Sequence, residues 1–186
     1  MTNARNEQKW KELLLPKLIE AHCTPRVQEV LSSESFEEPD KVETHNQYLY
    51  GDSYTGKSIH AHLIMFEWCR KQYLEGLDFS GCLFVSVPFM LNQLRSTINT
   101  GGNPTDVLAT FTSRPFLILD DIGTSKTTDW VLEQLYLLIN YRYEMKLTTI
   151  YTSNYSLDEL GEKLGDDRIP SRIQADCKII KKTKLW

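Results

Sequence analysis

The sequence predicts an α/β fold built on a parallel sheet, and three observations carry that prediction. From residue 47 onward, short apolar bursts alternate with helical patterns. A glycine-rich turn, Gly51-Asp52-Ser53-Tyr54-Thr55-Gly56-Lys57-Ser58, joins the first burst to the first of those helices. A continuous apolar run, Phe116-Leu117-Ile118-Leu119, ends in Asp120-Asp121, the pattern of a strand buried on both faces that delivers acids to the carboxyl edge of a sheet. With 186 residues, 41% hydrophobic and 25% charged, the chain has material for one globular domain and a short appendage.

Taken in order, residues 6–22 read as helical, with Trp10, Leu13, Leu14, Leu18 and Ala21 three or four apart, and Pro16 either opening a second short helix or kinking one. This segment is too short to form its own core. Residues 29–43 hold six acids (Glu29, Glu34, Glu37, Glu38, Asp40, Glu43) against the single base Lys41, interspersed with Ser32, Ser33, Ser35 and Pro39, as in a solvated linker. The chain therefore divides into an arm over 1–28, an acidic linker over 29–44 and a core over 45–186. Within the core the expected elements are strand Gln47–Tyr50, helix Lys57–Tyr73, strand Cys82–Val87, helix Pro88–Ser96, strand Phe116–Asp120, helix Asp129–Tyr143, strand Thr148–Thr152, helix Ser156–Leu164 and a last strand near Lys178–Lys181. Trp68 and Trp130 read as helix faces that pack on the sheet.

The net charge of −4 excludes a surface that coats nucleic acid by bulk electrostatics. The linker accounts for that acidity and the remainder is close to neutral, so a local nucleic-acid contact stays open. No apolar run approaches the roughly 18–20 residues that span a bilayer, and the start, MTNARNEQKW, lacks the apolar core of a signal peptide. A cytoplasmic protein without membrane contact is expected. Cys23, Cys69, Cys82 and Cys177 show no C-x-x-C spacing and read as free thiols. His60 and His62 lie two apart and point to different faces of a helix, and His22 and His45 have no evident partners, so the histidines predict no metal site.

Residues 51–58 satisfy G-x-x-x-x-G-K-[ST] between a strand and a helix, the context the motif requires. Gly51 and Gly56 let backbone N–H groups turn toward an anion, and the helix that starts near Lys57 adds its positive dipole end. Lys57 supplies a point charge for β- and γ-phosphates, and the Ser58 hydroxyl is a ligand for Mg²⁺. Gly51, Asp52, Ser53, Tyr54, Thr55, Gly56, Lys57, Ser58 and Ile59 form the candidate nucleotide-binding stretch. Asp120 is expected in the Mg²⁺ shell through water, and Asp121 to orient or deprotonate the attacking water, with slow turnover because Asp reaches less far than Glu. The strand Thr148-Thr149-Ile150-Tyr151 ends in Thr152-Ser153-Asn154. Asn154 is the candidate sensor beside the acids, the alternative being a turn or helix cap before Ser156. Further on, Asp167-Arg168-Ile169-Pro170-Ser171-Arg172-Ile173 sets two guanidiniums four apart, on one face if helical, with Pro170 expected to shorten or distort that helix. Arg172 is the candidate finger into a neighbouring subunit's γ-phosphate, an arrangement worth about 10³–10⁵ in rate; the alternative is a surface ion pair with Asp166 or Asp167.

In this order, GDSYTGKS, FLILDDIG, TSN and DRIPSRI resemble the AAA+ ATPase core of the DnaC/DnaI helicase-loader family, with the IstB-like transposition helpers as close relatives, over roughly residues 21–181. Ala21-His22-Cys23-Thr24-Pro25-Arg26 is similar to the lead-in of those loaders, and Ser35-Phe36 to a later element of it. The resemblance implies a P-loop NTPase with a five-stranded parallel sheet of order 5-1-4-3-2 flanked by helices. It implies ATP and Mg²⁺ as ligands, ATP hydrolysis, a DnaB-like replicative ring helicase and single-stranded DNA as partners, and self-association with Arg172, and also Arg168, acting in trans. Two departures are expected to matter: a short arm in place of a sizeable helicase-binding domain, and no helical lid after Arg172. Hydrolysis should therefore be weak in isolation, in a compact loader of the kind a phage or mobile element encodes. The alternatives are an IstB-like ATPase assisting transposition and a non-hydrolysing, nucleotide-gated helicase adaptor or inhibitor.

In the arm, Trp10, Leu13, Leu14 and Leu18 are either helix-in-groove anchors for the helicase or a stripe that folds back on the core. The resemblance places single-strand contacts around the second and third strands, where Phe89, Asn92, Arg95, Ser96, the Asn99–Asn103 loop and Ser125-Lys126-Thr127 are candidates. Lys178, Lys181, Lys182 and Lys184 form a further basic cluster, with a solvated edge strand as the alternative.

Overall fold

Apolar alternation along the strands decides the layering of this molecule. In the computed structural model, which describes residues 2–33 and 42–183, β1 (Gln47–Tyr50), β2 (Cys82–Ser86), β3 (Phe116–Ile122), β4 (Thr148–Ser153) and β5 (Lys178–Lys181) form one sheet. Its order is β2-β3-β4-β1-β5 with every pairing parallel, which is the expected 5-1-4-3-2 order counted from the other edge. Successive side chains leave opposite faces. Phe116, Ile118, Leu49 and Ile150 join one apolar cluster, and Leu117, Leu119, Tyr48 and Tyr151 the other.

The first face is covered by α4 (Lys57–Leu74) and the N-terminal arm, the second by α5 (Val87–Asn99), α7 (Asp129–Glu144), α8 (Leu157–Leu164) and α9 (Arg168–Asp176). Trp68 on α4 packs against Phe116 at 5.2 Å between ring centroids, and half-buried Trp130 on α7 lies under the Arg95 guanidinium at 5.0 Å. No helix among the described residues is long and apolar enough to cross a membrane.

Three elements depart from the sequence expectation, each through an end signal stronger than its apolar period. A helix α6 spans Pro104–Thr112, started by the Asn103 side chain, which accepts from Thr105 N at 3.0 Å, and by proline at the first helical position. Thr24 and Pro25 start α3 (Pro25–Leu31) in the same way, so Glu29 belongs to a helix and not to the linker. Residues 34–41, which carry most of the acidic run and Ser35-Phe36, lie outside the described residues, as does Lys184. Pro170 does not disturb α9, because it falls in the first turn, where a missing N–H breaks no intrahelical bond.

The arm corrects the docking expectation. It runs as α1 (Thr2–Lys9), a wider π-helical turn over Trp10–Leu14 and α2 (Leu15–His22). The widened turn ends two residues before Pro16, which has no N–H to offer the Glu12 carbonyl. Trp10 is 2% exposed and packs against a tilted Tyr73 ring and edge-on against Phe79, Leu18 is buried and Leu14 half-buried. The stripe is thus folded back on the core, because a helix this short gains more from burying its apolar face than from leaving it in water. Of the four anchors only Leu13 stays exposed, at 54%. Arg70 on α4 pairs with Glu67 and with Glu7 of α1, closing the polar side of the same contact.

The histidines of this face also have partners. The His62 ring is fully buried, with Nδ1 2.7 Å from the Ser58 carbonyl oxygen and Nε2 3.2 Å from that of His22, and it stacks on Phe84. His22 Nε2 in turn lies 3.8 Å from Cys82 Sγ.

Candidate nucleotide site

The strand order sets the C-terminal ends of β1, β4 and β3 side by side, so the glycine-rich loop, the Thr152-Ser153-Asn154 turn and the two acids share one edge. The loop needs unusual backbone. Gly51 (φ 139), Tyr54 (φ 67) and Gly56 (φ 80) all take positive φ, which turns the chain back before α4 begins at Lys57. Thr55 ties the turn from within, its hydroxyl donating to the Asp52 carbonyl at 2.8 Å.

Lys57 is buried, and its ammonium donates to the carbonyls of Gly51 at 2.9 Å and Asp52 at 2.8 Å and to Asn154 Oδ1 at 2.9 Å. Burial pulls its pKa below the ordinary lysine value, while the charges of Asp121, Asp120 and Asp52 oppose that shift. Asn154, chosen from its place at a strand end, therefore meets the loop lysine. Ser58 Oγ donates to Asp120 Oδ1 at 2.8 Å across the intervening strand. Asp120 is buried, whereas Asp121 is half-buried with its pKa raised by desolvation and by the neighbouring Asp120 charge, against the pull of Lys57.

A hydroxyl and carboxylate oxygens at this spacing are hard donors of the kind Mg²⁺ takes. Among the described residues no group of three or more His, Cys, Asp or Glu forms a metal cage.

Sequence reasoning missed two hydroxyls in this site. Thr152, fully buried, donates to Asp120 Oδ1 at 2.7 Å and accepts from Asp121 N at 3.0 Å. Ser153 Oγ donates to the Ile122 carbonyl at 2.8 Å. The signal was present as two hydroxyl residues directly before Asn154, but which strand lies beside the acids is decided by sheet order. Also missed was Arg26 of α3, whose guanidinium lies 4.8 Å over the ring of Tyr54, a loop residue 73% exposed.

The two candidate arginines share one face of α9, both against Tyr136 of α7, at 4.7 Å for Arg168 and 5.7 Å for Arg172. They separate in their polar partners. Arg168 is exposed and forms the ion pair with Asp166, while half-buried Arg172 donates to Asn140 Oδ1 at 2.9 Å. The candidates for nucleic acid stay on the surface. Phe89 is 57% exposed and lines a groove of about 420 Å³ between β2, α5 and α6; Arg95, Asn92, Ser96 and Lys126 are exposed. Of the C-terminal lysines, Lys178 pairs with Glu43 at 2.6 Å, Lys181 is exposed and Lys182 is half-buried.

Comparison with known proteins places these features in context. Residues 19–182 match the family described as IstB-like ATP binding protein. The chain is 30% identical over 114 residues to the replicative helicase loader DnaI of Bacillus subtilis (strain 168), a stretch that covers 61% of this chain and 34% of that protein. The match therefore spans about a third of the relative's length. Among solved structures, the DnaC helicase loader superposes with a TM-score of 0.62 at 23% identity, covering 85% of this chain and 86% of the other. DnaI gives 0.63 at 24% identity over 85% and 81%, and AMPPCP-bound DnaA from Aquifex aeolicus gives 0.59 at 16% over 84% and 44%. These likenesses establish a P-loop NTPase fold shared with DnaC and DnaA.

Proposed function

The chain belongs to the IstB-like ATP binding protein family, and from that premise we propose that it is an ATP-hydrolysing loader of a ring-shaped replicative helicase that also contacts single-stranded DNA. The observation that carries the nucleotide part is the junction of three strand ends, where Lys57, Ser58, Asp120 and Asn154 meet within hydrogen-bond distance. The loader part rests on the likeness to DnaI and DnaC.

In this reading the loop N–H groups and Lys57 bind the β- and γ-phosphates of ATP. Ser58 and Asp120 would hold Mg²⁺, which would supply positive charge to the phosphate oxygens. Asp121 takes the proton of the attacking water, a task helped by the raised basicity that burial and Asp120 give it. Asn154 moves from Lys57 to the γ-phosphate or the water. Arg172 and Arg168 act on a neighbouring subunit's nucleotide. Phe89 offers a stacking surface to a base, with Arg95 and Lys126 as phosphate contacts. The helicase contact no longer falls to Trp10 and Leu18, which the core has taken.

Assistance to a transposase is the second reading, and it rests on the resemblance to the IstB-like helpers. Light scattering after size exclusion separates the two: mixed with its source's replicative helicase, the protein should form a complex that differs between ADP and a non-hydrolysable ATP analogue. Absence of any nucleotide-dependent complex would overturn the loader reading. For the chemistry, Lys57→Ala should abolish nucleotide binding, and Asp121→Asn should bind ATP as wild type does and lower turnover about 10²-fold or more. Equal turnover of wild type and Asp121→Asn would remove hydrolysis from the proposal and leave a nucleotide-gated adaptor.

A further inference from the structure

In a regular strand, Asp120 and Asp121 would project from opposite faces of the sheet. Here the ladder between β3 and β4 breaks between Leu119 and Ile122, and Asp121 takes a left-handed φ of 61. A bulge of this kind re-aims a side chain, and Asp121 leaves the strand alternation there. The bulge also frees backbone groups that the ladder would otherwise pair. Two hydroxyls of β4 take them: Thr152 Oγ1 accepts the Asp121 N–H at 3.0 Å, and Ser153 Oγ donates to the Ile122 carbonyl at 2.8 Å.

We propose that Thr152 is the positioning residue for both acids, one hydroxyl holding Asp121 in its left-handed turn through the peptide N–H while fixing the rotation of the Asp120 carboxylate. A hydroxyl can do both at once because it has one donor and two acceptor sites. Its proton goes to Asp120 Oδ1 at 2.7 Å, the same oxygen that receives Ser58 Oγ at 2.8 Å, so two donors, one on β4 and one in the first turn of α4, clamp one carboxylate oxygen. Thr152 has no exposed surface, so water does not substitute for either bond. The β-branched side chain adds a restricted χ1, which serine would lack. Asp121 is a residue type that tolerates left-handed backbone, but the conformation persists only where surroundings over-determine it, and the Thr152 hydroxyl is one of the contacts that does so.

This inference deepens the nucleotide reading and rests on it. The test compares wild type, Thr152→Val and Thr152→Ser. The primary readout is the tightening of a fluorescent, non-hydrolysable ATP analogue by Mg²⁺, measured as the ratio of affinities with Mg²⁺ and with EDTA. Thr152→Val keeps the shape but loses the hydroxyl and should reduce that ratio about 10-fold or more, the effect of losing an outer-shell partner of a metal ligand. Its affinity in EDTA should match wild type, since Lys57 and the loop are untouched. Thr152→Ser should stay within about 3-fold of wild type. In turnover, Thr152→Val should lower kcat with little change in KM. A wild-type Mg²⁺ response in Thr152→Val overturns the proposal, as does an equal loss in Thr152→Ser, which would mean packing and not the hydroxyl. If Thr152→Val does not fold, Thr152→Cys, of similar size but a weak hydrogen-bonder, replaces it with the same expected loss. Absent turnover in wild type with the Mg²⁺ ratio still falling in Thr152→Val removes hydrolysis and leaves the positioning role standing. Wild-type turnover in Thr152→Val removes the positioning role and leaves hydrolysis standing, and failure of wild type itself to bind the analogue overturns both.

Discussion

At the scale of single residues, the first loop glycine shows how a motif position acquires a reason. Gly51 donates its N–H to the Ser153 carbonyl at 3.2 Å, and the carbonyl of the same peptide, that of Tyr50, accepts from Lys182 N just past the end of β5 at 2.7 Å. A Cβ at Gly51 would collide with the Lys182 carbonyl oxygen, a backbone atom that cannot step aside. Gly101, also at positive φ (76), has open space around the same position. Gly51→Ala is therefore expected to cost about 1–3 kcal/mol from overpacking on top of backbone strain, and to weaken nucleotide binding. Gly101→Ala should cost only the strain, about 1–2 kcal/mol. Thermal unfolding of the two variants side by side checks the ordering, and equal Tm values would contradict it.

Among the elements, the arm changes the picture most. Its apolar spacing fits either a free docking helix or a helix folded back, since periodicity records that a face is buried and not what buries it. The choice is made by partners far along the chain: Tyr73 and Phe79 against Trp10, and Arg70 against Glu7. Trp10→Ala should consequently destabilise the whole protein by about 3–5 kcal/mol, whereas Leu13→Ala should stay within about 0.5 kcal/mol. Urea unfolding of the full chain measures both, and a free arm would leave the midpoint unmoved by either change. The buried guanidinium of Arg142 makes the same point for the core. It donates to the carbonyls of Phe111, Arg114 and Thr148 and to the Thr149 hydroxyl, joining the end of α6 to the start of β4, and burial lowers its pKa to about 10. An Arg in the last turn of a helix gives no hint of this, because most of its acceptors belong to other elements.

For the whole molecule, the paired arginines on Tyr136 bear on assembly. If Arg172 serves a neighbour's nucleotide, each working site needs a loop from one chain and an arginine from another. Lys57→Ala and Arg172→Ala should then each be inactive alone, and mixing them should restore up to about a quarter of wild-type turnover in a two-subunit site. No recovery at any mixing ratio would rule out action of Arg172 on a neighbour's nucleotide. Much of the architecture was legible beforehand. The alternation of apolar runs and helices, the loop between Tyr50 and Lys57 and the acids after Leu119 specified a parallel α/β sheet, and the family resemblance supplied its order, because these signals are carried by neighbours in the chain: strand period, helix period and turn chemistry. The loop lysine and serine, the two acids and Asn154 were identifiable on the same ground. Tertiary structure alone decided which groups touch them. That Thr152 braces both acids, that Asp121 turns out of the strand alternation, and that Trp10 packs on Tyr73 and Phe79 instead of reaching outward all depend on contacts between segments distant in sequence. Such contacts form only when the strand order brings those segments together, and local propensity carries no record of them.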